Sequence, residues 1–282
     1  GAVFGLNAGW EHPLWFADAP GTEDTNGFAR QNWFEPVGRE AAMLRDAVGV
    51  IDISNFGKYE VTGPGAGDWL DALVANHVPR EIGKSCLTPL IGMRGGVAGD
   101  FTITMTGDES YMMIGSGMAE RYHRRFFDMV PLPDGTGFEV ATPRIAGFNV
   151  AGPRSREMLA GLTDADLSNE GWRFMRSRRI AVGGVDCLAI RVSFTGDLGW
   201  ELHCAVDDQV VLYEILLEAA APHGGGPVGG RALGALRIEK GYGSWGREYS
   251  PEYWPQEAGL QGLIKLDKDF LNKEAYLSLI HI

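Results

Sequence analysis

The sequence predicts an α+β fold made of two related halves, each an antiparallel sheet with helices. Two observations carry this expectation. Runs that alternate with a period of two fall into hairpin-like pairs between amphipathic helical stretches, and a strand, Gly-Pro, helix pattern occurs twice along the chain.

Residues 1–37 are rich in aromatic residues, Pro and Gly and show no sustained period. They are expected to form an irregular segment laid over a surface, with Trp10, Trp15, Phe16, Trp33 and Phe34 needing cover. A helix is expected at "EAAMLRDAVGV", ending near Gly49, followed by strands through Ile51 and Ile53 and through Tyr59 and Val61. Another helix follows at "AGDWLDALVAN". In "RGGVAGDFTITM", residues 94–105, glycines precede a strand that Asp100 opens, and glycine there lets the backbone pass close to another group. On this pattern alone, Asp100 is either a pocket carboxylate or a turn residue. The stretch "GDFTITMTGDESYMMIGS" reads as a hairpin about the turn "TGDES".

The second half supplies the hairpin "RRIAVGGVDCLAIRVSF", the strand in "TGDLGWELHCAV", and helices at 208–221 and about 230–242. The internal echo pairs "YEVTGPGAGDWLDALVA" with "FNVAGPRSREMLAGLTD". In it Val61, Gly63, Pro64, Leu70 and Leu73 correspond to Val150, Gly152, Pro153, Leu159 and Leu162. A duplication implies two halves, about 38–142 and 143–279, of related topology.

With 282 residues, 45% hydrophobic and 22% charged, the chain can bury a substantial core. No apolar run approaches a membrane-spanning length, so no membrane partner is expected. A net charge of −12 argues against a nucleic-acid footprint, and an anionic ligand would need a local basic pocket. Cys86, Cys187 and Cys204 are widely spaced and suit a reducing compartment, cytoplasmic or the mitochondrial matrix of a eukaryote. His12, His77, His123, His203, His223 and His281 show no ligand spacing, so no metal site is expected. No basic-then-apolar leader opens the sequence, so no secretory signal is expected. The glycine-rich pieces "GPGAGD", "GSGMAE" and "GGGPVGG" do not make a dinucleotide fingerprint, and no flavin or nucleotide is expected within the chain.

Three segments in order, "RGGVAGDFTIT", "RVSFTGDLGWELH" and "LGALRIEKGYGSWG…PQEAGLQGLIKLDKDFLNKEA", resemble the aminomethyltransferase (glycine cleavage T-protein) folate-binding family over roughly residues 38–279. Within it, "WELH", "LRIEKGYGSWG" and "EAGL" are closest to the C-terminal half of dimethylglycine and sarcosine dehydrogenases. The resemblance implies the two-halved fold of that family. It also implies binding of tetrahydrofolate by this chain, FAD in an upstream flavin domain joined through residues 1–37, and transfer of an oxidised N-methyl carbon to the folate. The family's further β-barrel after the "K-x-F-x-x-K-E-A" helix is expected to be absent, since the sequence ends at "YLSLIHI". Rival readings are a stand-alone aminomethyltransferase of the glycine cleavage type and a folate-binding module without catalysis.

The resemblance also assigns residues. Asp100 matches the carboxylate that handles a proton beside the reactive nitrogens, and Glu201 of "WELH" matches the glutamate that meets the amino-pyrimidine edge of the pterin. Arg237 of "LRIEK" matches an arginine associated with folate binding, with a structural bridge to Glu239 or another carboxylate as the alternative. Phe194 and Trp245 stand where the family has tyrosines and keep an aromatic wall. Leu87 replaces a tyrosine directed at the folate and loses its hydroxyl.

Overall fold

The computed structural model describes residues 1–7, 9–25 and 27–280. The chain opens with an antiparallel hairpin of β1 (Ala2–Asn7) and β2 (Trp10–Phe16). Residues 1–37, expected to be irregular, therefore contain regular structure. The alternation is hidden because Phe4 and Leu6 are exposed, the register shifts between Val3 and Phe4, and Pro13 interrupts β2. Helix α1 (Phe34–Asp46) follows, with Glu35 in its first turn, Arg45 in its last, and Val37, Glu40 and Leu44 on its buried stripe.

In chain order there follow β3 (Gly49–Asp52), β4 (Gly57–Thr62), α2 (Ala66–Leu73), β5 (Ser85–Ile91), β6 (Val97–Gly107), β7 (Ser110–Gly115), α3 (Glu120–Phe127) and β8 (Gly137–Val140). The second series is β9 (Ile145–Ala151), α4 (Ser155–Ala160), β10 (Ser177–Val182), β11 (Val185–Ile190), β12 (Gly199–Ala205), α5 (Gln209–Ala220) and β13 (Gly226–Val228). Helices α6 (Gly230–Glu239) and α7 (Lys273–Ile280) complete the described chain.

By packing the chain divides into two units. Unit 1 is Gly1–Asn55 with Pro143–Tyr242, and unit 2 is Phe56–Thr142 with Gly243–Ile282. The units interleave along the chain, where the sequence reading divides it consecutively, because α1 and β3 precede the first repeat yet pair and pack with the second.

Unit 2 holds a five-stranded antiparallel sheet in the order β5-β6-β7-β4-β8. Its core sets Tyr59, Val61, Phe101, Ile103 and Met113 of the sheet against Trp69, Leu70 and Leu73 of α2 and Phe126 and Phe127 of α3. A smaller cluster joins Ala75 and Ile91 to Ile264, Phe270 and Tyr276 of α7.

Unit 1 holds a six-stranded sheet in the order β10-β11-β12-β9-β3-β13. Its core sets Phe148, Val150, Trp200 and Leu202 against Met158 and Leu159 of α4 and Leu212 and Leu216 of α5. The internal echo extends to topology: β9, α4, β10, β11, β12, α5 and β13 repeat β4, α2, β5, β6, β7, α3 and β8 in order and in sheet position. The difference is β3, inserted between the counterparts of β4 and β8. Since β3 runs antiparallel to β9, the last strand, β13, emerges parallel to β3, and this sheet is mixed where an antiparallel one was expected.

Candidate functional site

In unit 2, β6 positions Asp100. Phe101, Ile103 and Met105 enter the helix-covered core, so the strand alternation places Asp100 and Thr102 on the opposite face. The sequence left open whether Asp100 is a turn residue. It is the fourth residue of β6, paired across the sheet with Pro89, and the Gly-rich turn ends before it, with Gly92 N–H donating to Gly96 O. Among the described residues its carboxylate accepts no hydrogen bond from another side chain. Burial pushes the Asp100 carboxyl up to about 7, against a weaker opposing pull from its own backbone N–H.

The strand is braced by aromatic residues. Trp245 donates its indole N–H to Ala98 O at 2.9 Å. The His123 ring lies edge-on to Phe101, with centroids 4.7 Å apart, and a Cβ at Gly99 would sit 2.7 Å from His123 Nε2. Gly99 is thus required by close approach. Trp245 completes an aromatic group with Tyr122 at 5.2 Å and His123 at 5.6 Å. His123 is fully buried, and desolvation pushes its pKa down to about 3, so the ring is neutral. The sequence presents His123 only as a histidine without ligand spacing, and its burial comes from the register of α3 over β6. Leu87 lies on β5 opposite Thr102, the Asp100 side of the sheet, and is 44% exposed.

In unit 1, β12 sends Trp200, Leu202 and Cys204 into the core and turns Glu201 and His203 to the other face. His203 Nε2 is 3.6 Å from Glu201 Oε2, with both side chains nearly buried. Across the sheet, Glu201 faces Asn149 on one side and Ile190 on the other. Asn149 Oδ1 accepts from Ser193 Oγ at 3.0 Å, and Ser193 and Thr195 share a hydroxyl bond of 2.8 Å. These bonds hold the loop that carries Phe194, whose ring stacks on Tyr242 at 6.4 Å and 15°. Arg237, at the end of α6, is 2% exposed and donates from Nη1 to Tyr242 O at 2.9 Å. Glu239, its alternative bridge partner from sequence, pairs instead with Arg45.

Within unit 2 the structure therefore gathers Asp100, Trp245 and Leu87 about β6, and within unit 1 it links Phe194 to Arg237 through Tyr242. His203, Asn149 and Ser193 were missed as site residues. The alternation in "WELH" already places His203 on the same face as Glu201, whereas Asn149 and Ser193 become neighbours through strand pairing. Among the described residues no group of three or more His, Cys, Asp or Glu side chains could hold a metal ion. No described helix is long and apolar enough to cross a membrane.

Residues 1–268 match the GCVT N-terminal domain, and the chain belongs to that family. It is 36% identical over 277 residues to the mitochondrial dimethylglycine dehydrogenase of Mus musculus, a match covering 96% of this chain and 32% of that protein. It is 30% identical over 257 residues to an aminomethyltransferase of Thermoanaerobacter sp. (strain X514), covering 90% of this chain and 69% of that one. The crystal structure of the glycine cleavage system aminomethyltransferase T from Bartonella henselae superposes with a TM-score of 0.82 at 22% identity, covering 100% of this chain and 72% of that chain. The chain spans about a third of the length of the dimethylglycine dehydrogenases it matches.

Proposed function

We propose that this chain is the folate-binding, one-carbon-transfer portion of a flavin-dependent N-methyl amine dehydrogenase of the dimethylglycine or sarcosine type. The flavin is assigned to a portion outside these 282 residues. Supporting this reading is the match along 96% of the chain to a dimethylglycine dehydrogenase. The observation that carries it is Asp100, a carboxyl raised to about 7 on the sheet face away from the helices. At neutral pH such a group holds and releases a proton with nearly equal ease, which general acid–base work requires.

The side chains present fit a reduced folate. Glu201 offers a nearly buried carboxylate whose ionisable neighbour is His203, 3.6 Å away. Two such oxygens suit the paired N–H donors of an amino-pyrimidine edge. When bound, a reduced folate supplies the nitrogens that accept the carbon. Asp100 is assigned the proton, Glu201 the orientation of the pterin, Phe194 and Trp245 aromatic walls, and Arg237 positive charge toward the glutamate tail. Leu87 supplies apolar contact without a hydroxyl.

Calorimetry of the 282-residue chain with 5-formyltetrahydrofolate tests the assignment. Binding is expected, and Glu201→Ala is expected to weaken it by about 1.5–3 kcal/mol for each charged hydrogen bond lost. No binding by the wild type, or an unchanged affinity in a folded Glu201→Ala chain, overturns it. In the full-length enzyme, Asp100→Asn is expected to slow methylene transfer by about 10²–10⁴ while amine oxidation continues.

A further inference from the structure

On the helix-covered side of the unit 1 sheet, opposite Glu201, two arginines converge on one oxygen. Arg156 of α4 donates from Nη2 to Asn169 Oδ1 at 2.7 Å, and Arg191, which follows β11, donates from Nη2 to the same atom at 2.6 Å. Arg191 also donates to the carbonyl of Trp172 and lies over the Trp200 ring at 5.8 Å. Among the described residues no carboxylate lies within ion-pair distance of either guanidinium. Glu157, beside Arg156 on α4, faces His223 at 3.7 Å, and Glu170 is exposed. Like charges are thus brought together against a neutral amide in a chain whose net charge is −12.

The hydrogen-bond inventory is equally one-sided. Each guanidinium carries five N–H donors and no acceptor. Arg156 uses one of its five and Arg191 two. Arg156 Nε is buried without any partner. A buried charged donor left unmet is costly, and an anion received by the remaining Nη donors offsets the repulsion between the two guanidiniums. The repulsion registers in Arg191, whose charged form is disfavoured by burial first and by Arg156 second.

We propose that Arg156, Arg191 and Asn169 form a binding site for a phosphate group. A single carboxylate would neutralise one of the two charges. A tetrahedral dianion neutralises both and offers enough oxygens for the free donors of both forks. Inorganic phosphate and a small phosphate monoester share this chemistry. The site is independent of the roles assigned to Asp100 and Glu201.

The test follows thermal unfolding of the 282-residue chain with added inorganic phosphate, glycerol 3-phosphate or glutarate, against sodium chloride at matched ionic strength. A ligand that binds the native state raises Tm in a saturable way. Phosphate or glycerol 3-phosphate is expected to do so, and the more effective of the two identifies the source. Arg156→Gln and Arg191→Gln are each expected to abolish the rise, and Arg179→Gln, at an exposed pair with Asp186, to leave it intact. Should Arg191→Gln fail to fold, Arg156→Gln decides the matter, since its side chain is half-exposed and its bond is to the exposed Asn169. No rise beyond chloride, an equal rise with glutarate, or a rise that survives in Arg156→Gln overturns the proposal.

Discussion

The indole N–H of Trp245 donates to the carbonyl of Ala98 at 2.9 Å, and Ala98 stands two residues before Asp100 on β6. A residue assigned to an aromatic wall thereby also fixes the strand that carries the proposed proton carrier. Trp245→Phe retains a ring against Tyr122 and His123 but leaves the buried Ala98 without this donor. Losing the partner of a buried acceptor costs about 1–3 kcal/mol. The urea midpoint of the variant is expected to fall accordingly with an unchanged m-value. An unchanged midpoint would remove Trp245 from the support of β6.

Asp100 makes stability depend on pH in a stated direction. Its folded carboxyl titrates at about 7, whereas an unfolded aspartate titrates near about 3.9. Between those values the native chain keeps a proton that the unfolded chain has released. The contribution is therefore fully present below about pH 4, declines as pH rises toward 7, and is lost above it. At about 1.4 kcal/mol per unit, the decline is at most about 4 kcal/mol. Asp100→Asn, which cannot ionise, is expected to be more thermostable than the wild type at pH 8 and similar to it at pH 4. A Tm difference that stays constant across this range would show that the Asp100 carboxyl is not raised.

The strand that carries Asp100 and the repeated strand–helix unit were legible in the sequence because each is a local pattern: an alternation, a Gly-Pro step, a helical period. The same alternation places Glu201 and His203 on one face of β12. What the sequence did not show are relations between distant segments. The place of β3 beside β9 and β13 depends on pairing with strands far along the chain, and the mixed sheet follows from it. His123 reads as one histidine among six until α3 lays it on Gly99. Arg156, Asn169 and Arg191 belong to different stretches and meet only once α4 packs over the sheet.

Gly63 and Gly152 are equivalent positions of the two repeats, and both have positive φ, +100° and +126°. A Cβ at Gly63 would lie 2.3 Å from Gly135 O, and one at Gly152 would lie 2.4 Å from Leu44 O. Side chains are strained in this region of φ, and a clash with backbone cannot be relieved by a rotamer change. Gly63→Ala and Gly152→Ala are each expected to destabilise by about 1–3 kcal/mol. Gly234→Ala serves as the control, since it lies in α6 with open space around its Cβ position and is expected to be neutral or stabilising. Chemical denaturation measures all three, and equal midpoints for Gly63→Ala and Gly234→Ala would contradict the strain.

Glu40 ties the opening hairpin to the body of unit 1. Its Oε1 accepts the N–H of Phe16 on β2 at 2.7 Å, and its Oε2 accepts the N–H of Gly229, ahead of α6, at 2.7 Å. Burial pushes its carboxyl up, and the two backbone donors oppose that shift. The tie is reinforced by Asp24, which takes both nitrogens of the Arg231 fork and the indole N–H of Trp15. Glu40→Ala removes both acceptors and leaves the buried Gly229 N–H unmet, at a cost of about 1.5–3 kcal/mol for each bond to the charged group. Glu40→Gln keeps one acceptor and should fall between the alanine variant and the wild type. The loss should appear as faster proteolytic cleavage within residues 17–33 of Glu40→Ala, alongside a lower unfolding midpoint. If cleavage there and the midpoint both match the wild type, the hairpin is held by its other contacts and Glu40 is dispensable to it.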